Sequence, residues 1–286
     1  MSTTETKYCY RHPDRPTGLS CSECGRPICT ECMTPAAVGL RCPEHAGGRQ
    51  SRIQPRPVRR APGVALATNQ APVTRILIAI NVGMYLLTAI QSHSTTPTGS
   101  IVDKFLLYGP YVHDGQWWRL ITSMFLHASI LHIAFNMFAL YAIGTPVEQY
   151  LGRARYIGLY FVSGLAGSAG ALLQTPTTPV LGASGAIFGI LGAMLIIEWQ
   201  VTGRLAGNAM TWIVINLGIS IAVPNISWGG HVGGLIGGIL VTLAYAGWSS
   251  RGRAAYGQLG LGGIAGLVGV AAASIAIAYW KVRGLA

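Results

Sequence analysis

Most of this chain is a series of long apolar runs separated by short polar loops. A spanning α-helix needs about 20 mostly apolar residues, because lipid offers no partners for backbone polar groups. Hydrophobic residues make up 51% of the 286 residues and charged residues 10%, against roughly 25% charged in soluble domains. The sequence predicts an all-α polytopic membrane domain over 73–286. Its seven spans lie near 73–91, 119–143, 156–174, 184–201, 209–223, 231–248 and 259–280.

A small polar head, residues 1–46, precedes the apolar runs and contains all six cysteines. Each cysteine is paired at a spacing of three with another cysteine or a histidine, which allows both side chains to reach one Zn²⁺. Disulfides are the alternative, but the cytosol is reducing and the histidines are in register with the cysteines. We therefore predict two closed, structural zinc sites. The pairs are Cys9/His12, Cys21/Cys24, Cys29/Cys32 and Cys42/His45.

The pairs can be arranged around the two ions in two ways, sequential or cross-braced, and both remain open. Only four residues separate the second pair from the third, which favours cross-bracing: the first and third pairs on one zinc, the second and fourth on the other. In ligand order and compactness the head resembles a B-box-type zinc finger. Since protein ligands fill both sites, we expect the module to bind a protein partner or to act as a sensor.

We do not expect nucleic-acid binding, because the net charge of +11 has another explanation. Residues 47–72 form a basic, Pro- and Arg-rich stretch that predicts a flexible linker next to the first span. No apolar run opens the chain, so we expect no cleaved signal peptide. Arginines concentrate in the linker and in alternate loops: Arg49, Arg52, Arg56, Arg59, Arg60, Arg153, Arg155, Arg204, Arg251 and Arg253.

This distribution predicts the orientation of the domain. Positive residues favour the cytoplasmic side, so we expect a cytoplasmic N-terminus in a bacterial-type plasma membrane. That orientation also keeps the zinc thiolates in a reducing compartment. The opposite loops then hold only Lys104, Arg119, Lys281 and Arg283.

Several polar side chains occur where an apolar run begins or within it. Ser184 lies between small residues at the start of the fourth run, and His231 begins the sixth. His132 and Asn136 are four residues apart in the second run, and so share one helical face. Taken singly, each of these residues, like the nearby His127, is more often structural than catalytic. Together, at one depth in the membrane, they predict a functional site open to the outer face.

Glycines recur at helical spacing in the fourth and sixth runs. Gly185, Gly189 and Gly192 lie in one, and Gly230, Gly234 and Gly238 lie in the other. Such stripes let helix backbones approach closely. Close approach is what a Ser184–His231 hydrogen bond of about 2.6–3.2 Å requires.

Over roughly residues 73–250 the chain resembles the rhomboid intramembrane serine proteases. The resemblance is carried by Trp118-Arg119, His127, His132 to Asn136, Gly182-Ala183-Ser184-Gly185 and Gly230 to Gly234. It implies the six-helix bundle of that family with one additional C-terminal span.

The resemblance also implies roles for individual residues. Ser184 would be the nucleophile and His231 its base, while His132, Asn136 and the backbone N–H of Ser184 would stabilise the oxyanion. Gly182 would leave room for substrate, with Gly185, His127, Trp118 and Arg119 in support. Phe188 replaces a tyrosine common in the family, so we expect His231 to be held by packing alone. The substrates implied are single-span membrane proteins.

Two other functions compete with proteolysis. A non-catalytic rhomboid-like protein would bind membrane clients without cleaving them, although the complete residue set argues against this. A transporter should contain internal repeats with broken helices in matching positions, and we find no such symmetry.

Overall fold

The computed structural model describes residues 6–36, 39–46, 71–224, 226–248, 254–255 and 260–285. These residues form two compact units, the head and the membrane unit. Positions 47–70 of the predicted linker, 47–72, lie outside the described residues. The arginines at positions 49 to 60, and Arg251 and Arg253, also lie outside them.

The head has very little regular secondary structure. Strands β1 (Thr34–Pro35) and β2 (Leu40–Arg41) form an antiparallel pair, followed by the short helix α1 (Pro43–Ala46). Its buried apolar cluster consists of Ile28 and five of the cysteines, with Tyr10, Leu19, Met33 and Leu40 packed against it. A core this small rarely stabilises a domain without disulfides or metal ions.

The membrane unit is helical, as predicted. Short helices occupy the segment between the first two long ones: α3 (Ser100–Phe105), α4 (Gly109–His113) and α5 (Arg119–Thr122). The long elements are α2 (Pro72–Ser92), α6 to α7 (Ile130–Leu151), α8 (Arg153–Gln174), α9 (Ser184–Thr202), α10 (Asn208–Ala222), α11 (Trp228–Tyr245) and α12 (Leu261–Val282). A short strand pair, β3 (Gly247–Trp248) with β4 (Ala254–Ala255), precedes α12.

The second span begins later than the sequence predicts. Instead of 119–143 it covers Ile130–Leu151, with α6 (Ile130–Ala139) and α7 (Thr145–Leu151) joined by one π-helical turn. Leu126 and Ser129 are extended, and the Ser129 hydroxyl caps α6 by accepting from the backbone N–H of His132 at 3.2 Å. The prediction placed the start of the span too early because the run before Ser129 is also apolar. Ser129, a favoured N-cap residue, marks the actual start of the helix. His127 consequently lies before the helix.

All seven predicted runs correspond to helices, although one of these helices is short. Among the described residues, six helices are long and apolar enough to cross a membrane. The fifth predicted run forms α10, which has only 15 residues. At 1.5 Å per residue α10 is roughly 22 Å long, short of the about 30 Å thickness of a bilayer core.

Helix α8 lies at the centre of the unit, in contact with α9, α11 and α12. Glycine makes these contacts possible, because a Cβ at Gly167 would lie 3.0 Å from the Gly230 carbonyl oxygen. The predicted stripes of α9 and α11 also meet. A Cβ at Gly234 would collide with the backbone of Gly185, and one at Gly238 with that of Gly189. Backbones at this distance bring the first turns of α9 and α11 side by side.

The C-terminal end of α12 packs against the segment before α6. Tyr279 stacks on Trp117 with ring centroids 6.2 Å apart, and His113 Nδ1 lies 3.1 Å from the carbonyl oxygen of Val282. Arg119, expected as a loop charge, is instead buried. It donates to the carbonyl oxygens of Asp103 at 2.6 Å and Leu106 at 2.8 Å.

Candidate active site

Ser184 is the first residue of α9, directly after a tight bend. Gly182 adopts a φ of 132°, in the region that L side chains rarely occupy, and its N–H donates to the Ser123 carbonyl oxygen at 2.9 Å. Because Ser184 opens the helix, its own N–H has no acceptor within α9. The bend therefore presents, at the same point, a hydroxyl and an N–H that has no acceptor within α9.

His231 lies in the first turn of α11, which is fixed to α8. The Ser227 hydroxyl caps this helix by accepting from the N–H of Gly230 at 3.2 Å, and Gln174 Oε1 accepts from the N–H of Gly229 at 2.6 Å. His231 is buried, and its Nε2 lies 2.8 Å from Ser184 Oγ. The two residues selected from the sequence are thus within hydrogen-bond distance.

The ring of His231 has two further partners. Phe188, one turn after Ser184, stacks on it with centroids 4.3 Å apart and planes inclined by 13°. Its Nδ1 lies 2.6 Å from the hydroxyl of Ser220 on α10. The expectation that packing alone holds His231 is therefore wrong. The only sequence signal for Ser220 was a hydroxyl within the fifth apolar run, which ordinary helix packing also explains.

His132 extends from the first turn of α6 towards the bend before Ser184. A Cβ on Gly182 would lie 2.9 Å from both Nε2 and Cε1 of His132, and 3.7 Å from Ser184 Oγ. The N–H of Ala128 is 3.4 Å from His132 Nδ1. Since a backbone N–H can only donate, the neutral ring carries its proton on Nε2. His132 can therefore present a donor beside Ser184.

Asn136 and His127 are buried but differ in their contacts. Asn136 Nδ2 donates to the carbonyl oxygen of His132 at 2.9 Å, which leaves its second amide hydrogen for another acceptor. His127 packs edge-on against His132 with centroids 5.1 Å apart. Neither ring nitrogen of His127 has a hydrogen-bond partner among the described residues. Its structural or catalytic role stays a prediction.

Trp118 and Arg119 act away from the Ser184–His231 pair. Trp118 is half-exposed, and its indole N–H donates to the Lys104 carbonyl oxygen at 3.3 Å. Arg119 lies over the Tyr111 ring at 4.4 Å, in addition to its two carbonyl contacts. Both residues therefore stabilise the segment that contains α3, α4 and α5.

A small cavity lies against Ser184 and His231. Its walls come from the turn that follows α5, from α8, from the bend before α9 and from the starts of α9 and α11. Hydroxyl groups and glycines contribute much of the lining, including Ser123, Ser168, Ser227, Gly167, Gly182 and Gly230. Polar groups of this kind can hold water beside Ser184.

The head brings its eight predicted ligands together as two clusters. One contains Cys9, His12, Cys29 and Cys32, and the other Cys21, Cys24, Cys42 and His45, with all ligand atoms of a cluster within 4.8 Å of one another. This is the cross-braced grouping rather than the sequential one. None of the six cysteines forms a disulfide bond.

The distances within the clusters fit a tetrahedral metal. Zn–S and Zn–N bonds of about 2.3 and 2.0 Å place neighbouring sulfurs about 3.8 Å apart, and sulfur and nitrogen about 3.5 Å apart. Cys24 Sγ lies 3.8 Å from Cys42 Sγ, and His12 Nδ1 lies 3.4 Å from the Sγ atoms of Cys29 and Cys32. The donors therefore suit zinc.

The local backbone favours a thiolate in each cluster. Burial raises the pKa of the Cys9 thiol, but hydrogen bonds, chiefly from backbone groups of Cys29, Arg11 and His12, outweigh it and lower that pKa to about 6. For Cys21, burial again raises the pKa, while backbone hydrogen bonds from Cys24, Cys42 and Glu23 bring it down to about 6. Thiolates are the form that binds metal.

Comparison with known proteins gives a consistent result for the membrane unit. The family model of the rhomboid domain matches residues 114–248. Rhomboid protease GluP of Bacillus subtilis (strain 168) is 39% identical over 175 residues, which cover 60% of this chain and 34% of GluP. RHOMBOID-like protein 7 of Arabidopsis thaliana is 37% identical over 153 residues, or 51% of this chain and 49% of that protein.

The chain thus spans about a third of the length of GluP and about half that of the Arabidopsis protein. YdcA of Bacillus subtilis (strain 168), a rhomboid-type protein, is 33% identical over 178 residues, which cover 60% of this chain. The match includes 87% of YdcA. With Ser184, His231, Gly182 and His132 in the arrangement described above, the chain belongs to the rhomboid family.

Proposed function

We propose that this chain is an intramembrane serine protease that uses Ser184 and His231 as a catalytic dyad. The observation that carries the proposal is the 2.8 Å separation of Ser184 Oγ and His231 Nε2. A serine hydroxyl is a weak nucleophile unless an adjacent base takes its proton. Family membership and the relative named Rhomboid protease GluP add support.

The reaction proceeds in two steps. Ser184 Oγ attacks the carbonyl carbon of the scissile peptide bond while its proton moves to His231 Nε2. The C–N bond then breaks, the amine leaves with that proton, and an acyl-enzyme remains. In the second step a water molecule attacks the ester, again losing its proton to His231, and releases the acid and the Ser184 hydroxyl.

The negative charge on the tetrahedral intermediate needs donors that are already in place. The proposed donors are the backbone N–H of Ser184, the Nε2–H of His132 and the second amide hydrogen of Asn136. The position of the His132 ring beside Gly182 supports this assignment. A single donor of this kind is worth roughly 10²–10³ in turnover.

The proposed substrates are single-span membrane proteins whose helix unwinds near its outer end. Both Ser184 and His231 lie in the first turns of their helices, at one end of the bundle. The arginines at positions 153, 155 and 204 lie at its opposite end, which supports a cytoplasmic N-terminus and a site that opens outwards. A bacterial-type plasma membrane fits this arrangement.

Cleavage of a single-span test substrate by the purified full-length chain in lipid tests the proposal. Ser184→Ala and His231→Ala should both abolish cleavage. Neither substitution should change the thermal unfolding temperature. Ser274→Ala is a matched control, because Ser274 is a buried helical serine on α12 that bonds its own helix, and it should cleave at the unaltered rate. Residual cleavage by Ser184→Ala would contradict the mechanism. A native chain that binds but never cleaves would favour the client-binding alternative.

For the head we propose two structural zinc ions, held by the two clusters described above. Zinc would supply the cross-links that a core of this size lacks, and no coordination position would remain for a reacting water. The module would then serve to bind a protein partner. The sulfur–nitrogen and sulfur–sulfur distances support this part of the proposal.

A further inference from the structure

The base of the proposed dyad is connected to a helix that carries neither catalytic residue. His231 Nδ1 lies 2.6 Å from the hydroxyl oxygen of Ser220, which belongs to α10. Ser220 is buried, as is His231. The imidazole therefore has one nitrogen facing Ser184 and the other facing Ser220.

The positions of the hydrogens follow from the chemistry of the partners. Ser220 Oγ also lies 2.6 Å from the backbone carbonyl oxygen of Asn216. A carbonyl only accepts, so the single hydroxyl hydrogen of Ser220 is directed to Asn216. The Ser220 oxygen is then the acceptor for a hydrogen on His231 Nδ1. This leaves a lone pair on Nε2, which is what taking the Ser184 proton requires.

No other described group performs this task for the ring. Phe188 stacks on its face and can fix the plane of the imidazole, but a phenyl ring does not distinguish the two nitrogens. Among the described residues, the ring makes its two hydrogen bonds to Ser184 and Ser220. In serine proteases with a triad, a carboxylate selects the tautomer. Here a neutral hydroxyl, with its own hydrogen bonded to a carbonyl, occupies the equivalent position.

Helix α10 lies at the edge of the bundle, with most of its side chains exposed to the surroundings. Within α10, only Ala209, Ile213 and Ser220 are buried. Trp212, Val214, Ile215, Ile219 and Ile221 are exposed. The contact between Ser220 and His231 thus exists only while α10 packs against α9 and α11.

We propose that Ser220 is a positioning residue that holds His231 in the tautomer able to accept the Ser184 proton. The inference rests on the proposed function, since it concerns the base of the same dyad. It makes the competence of the base depend on α10 being packed against the bundle.

Replacing the hydroxyl tests this inference directly. In the full-length chain, Ser220→Ala should lower kcat about tenfold, the usual effect of one lost hydrogen bond of this kind, with KM little changed. Ser220→Thr retains a hydroxyl and should restore kcat to within about twofold. Ser274→Ala removes a buried hydroxyl with the same bond to its own helix and should leave kcat unaltered.

A second measurement separates positioning from folding. A fluorophosphonate probe labels an activated serine without a membrane substrate, so its rate reports the reactivity of Ser184 independently of substrate binding. Labelling of Ser184 should slow in Ser220→Ala, in proportion to kcat, while thermal unfolding matches that of Ser274→Ala. Full kcat in Ser220→Ala, or a Ser220→Thr protein as slow as Ser220→Ala, would overturn the inference. Loss of cleavage in Ser184→Ala would still support the proposed function in that case.

Discussion

At the scale of single residues, the site depends on a glycine as much as on its reactive groups. Gly182 has a backbone conformation that other residues rarely adopt, and its missing side chain makes room for the ring of His132. The same bend directs Ser184 Oγ towards His231. A side chain at position 182 would therefore disturb the proposed nucleophile and a proposed oxyanion donor together.

We predict that Gly182→Ala lowers kcat by about 10- to 100-fold. The added Cβ would lie 2.9 Å from the His132 ring, and a non-glycine residue at such a φ costs roughly 1–3 kcal/mol. The loss of one oxyanion donor has an effect of this size or larger. Cleavage kinetics on a single-span substrate provide the measurement.

Gly115→Ala is the control for backbone strain alone. Gly115 has a φ of 89°, and a Cβ there meets nothing within 4 Å. We expect this variant to lose some stability and to keep its turnover. Equal turnover in the two variants would show that the contact with His132 has no catalytic consequence.

At the scale of elements, the ends of the helices are held by polar groups from their neighbours. The first membrane helix begins at Pro72, and Glu148 on α7 caps it. The buried carboxylate accepts from the N–H groups of Val73 at 3.0 Å and Thr74 at 2.7 Å, and from the Thr74 hydroxyl at 2.8 Å. An anion at a helix N-terminus is favourable. This contact joins α2 to α7 across much of the sequence.

We predict that Glu148→Ala destabilises the membrane unit by about 2–4 kcal/mol, because it leaves buried donors without an acceptor. Glu198→Ala is the matched control. Glu198 caps α10 from α9 through one hydrogen bond, to the N–H of Ala209 at 3.0 Å, and is less buried. Its loss should cost no more than about 1 kcal/mol. Unfolding in detergent compares the two, and equal costs would contradict the capping argument.

At the scale of the whole molecule, the chain combines two units stabilised by different physical means. The membrane unit packs glycine-lined helix faces, whereas the small core of the head is made largely of its candidate metal ligands. Metal removal should therefore affect the head and spare the helices. Zinc binding also depends on pH, since the thiolates must be deprotonated.

We predict about two zinc ions per chain, measured by atomic absorption, and unfolding of the head when a chelator removes them. The double variant Cys9→Ser, Cys29→Ser distinguishes the two ligand orders. In the cross-braced order both residues belong to one cluster, so about one zinc should remain. In the sequential order they belong to different sites, and both ions should be lost.

The pair Cys9→Ser, Cys21→Ser gives the reciprocal control, with both ions lost in the cross-braced order. A fully folded head without metal would contradict the zinc prediction itself.

The pKa of the Cys9 and Cys21 thiols lies near 6, below the ordinary value. Stability that depends on these thiolates is therefore complete above the ordinary pKa of 9.0 and is lost progressively as the pH falls to about 6.

Much of the fold could be predicted because the apolar composition of a segment and the helical spacing of its residues directly indicate burial in lipid. Long apolar runs, their glycine spacing and the residues Ser184 and His231 were readable from the chain. The start of the second span was not, because the residues before Ser129 are as apolar as a helix. The short length of α10 was readable, since the predicted run 209–223 agrees with Asn208–Ala222 to within one residue at each end.

The sequence by itself determined the class of the protein, the candidate nucleophile and base, and the candidate metal ligands. Each of these is a property of residue type and local spacing. Only the tertiary structure decided which partners those residues have. Ser220 reaches His231 from a helix that contains neither residue of the proposed dyad, and Gly182 makes space for a ring on α6. Such contacts depend on how helices pack, and no local pattern in the chain records them.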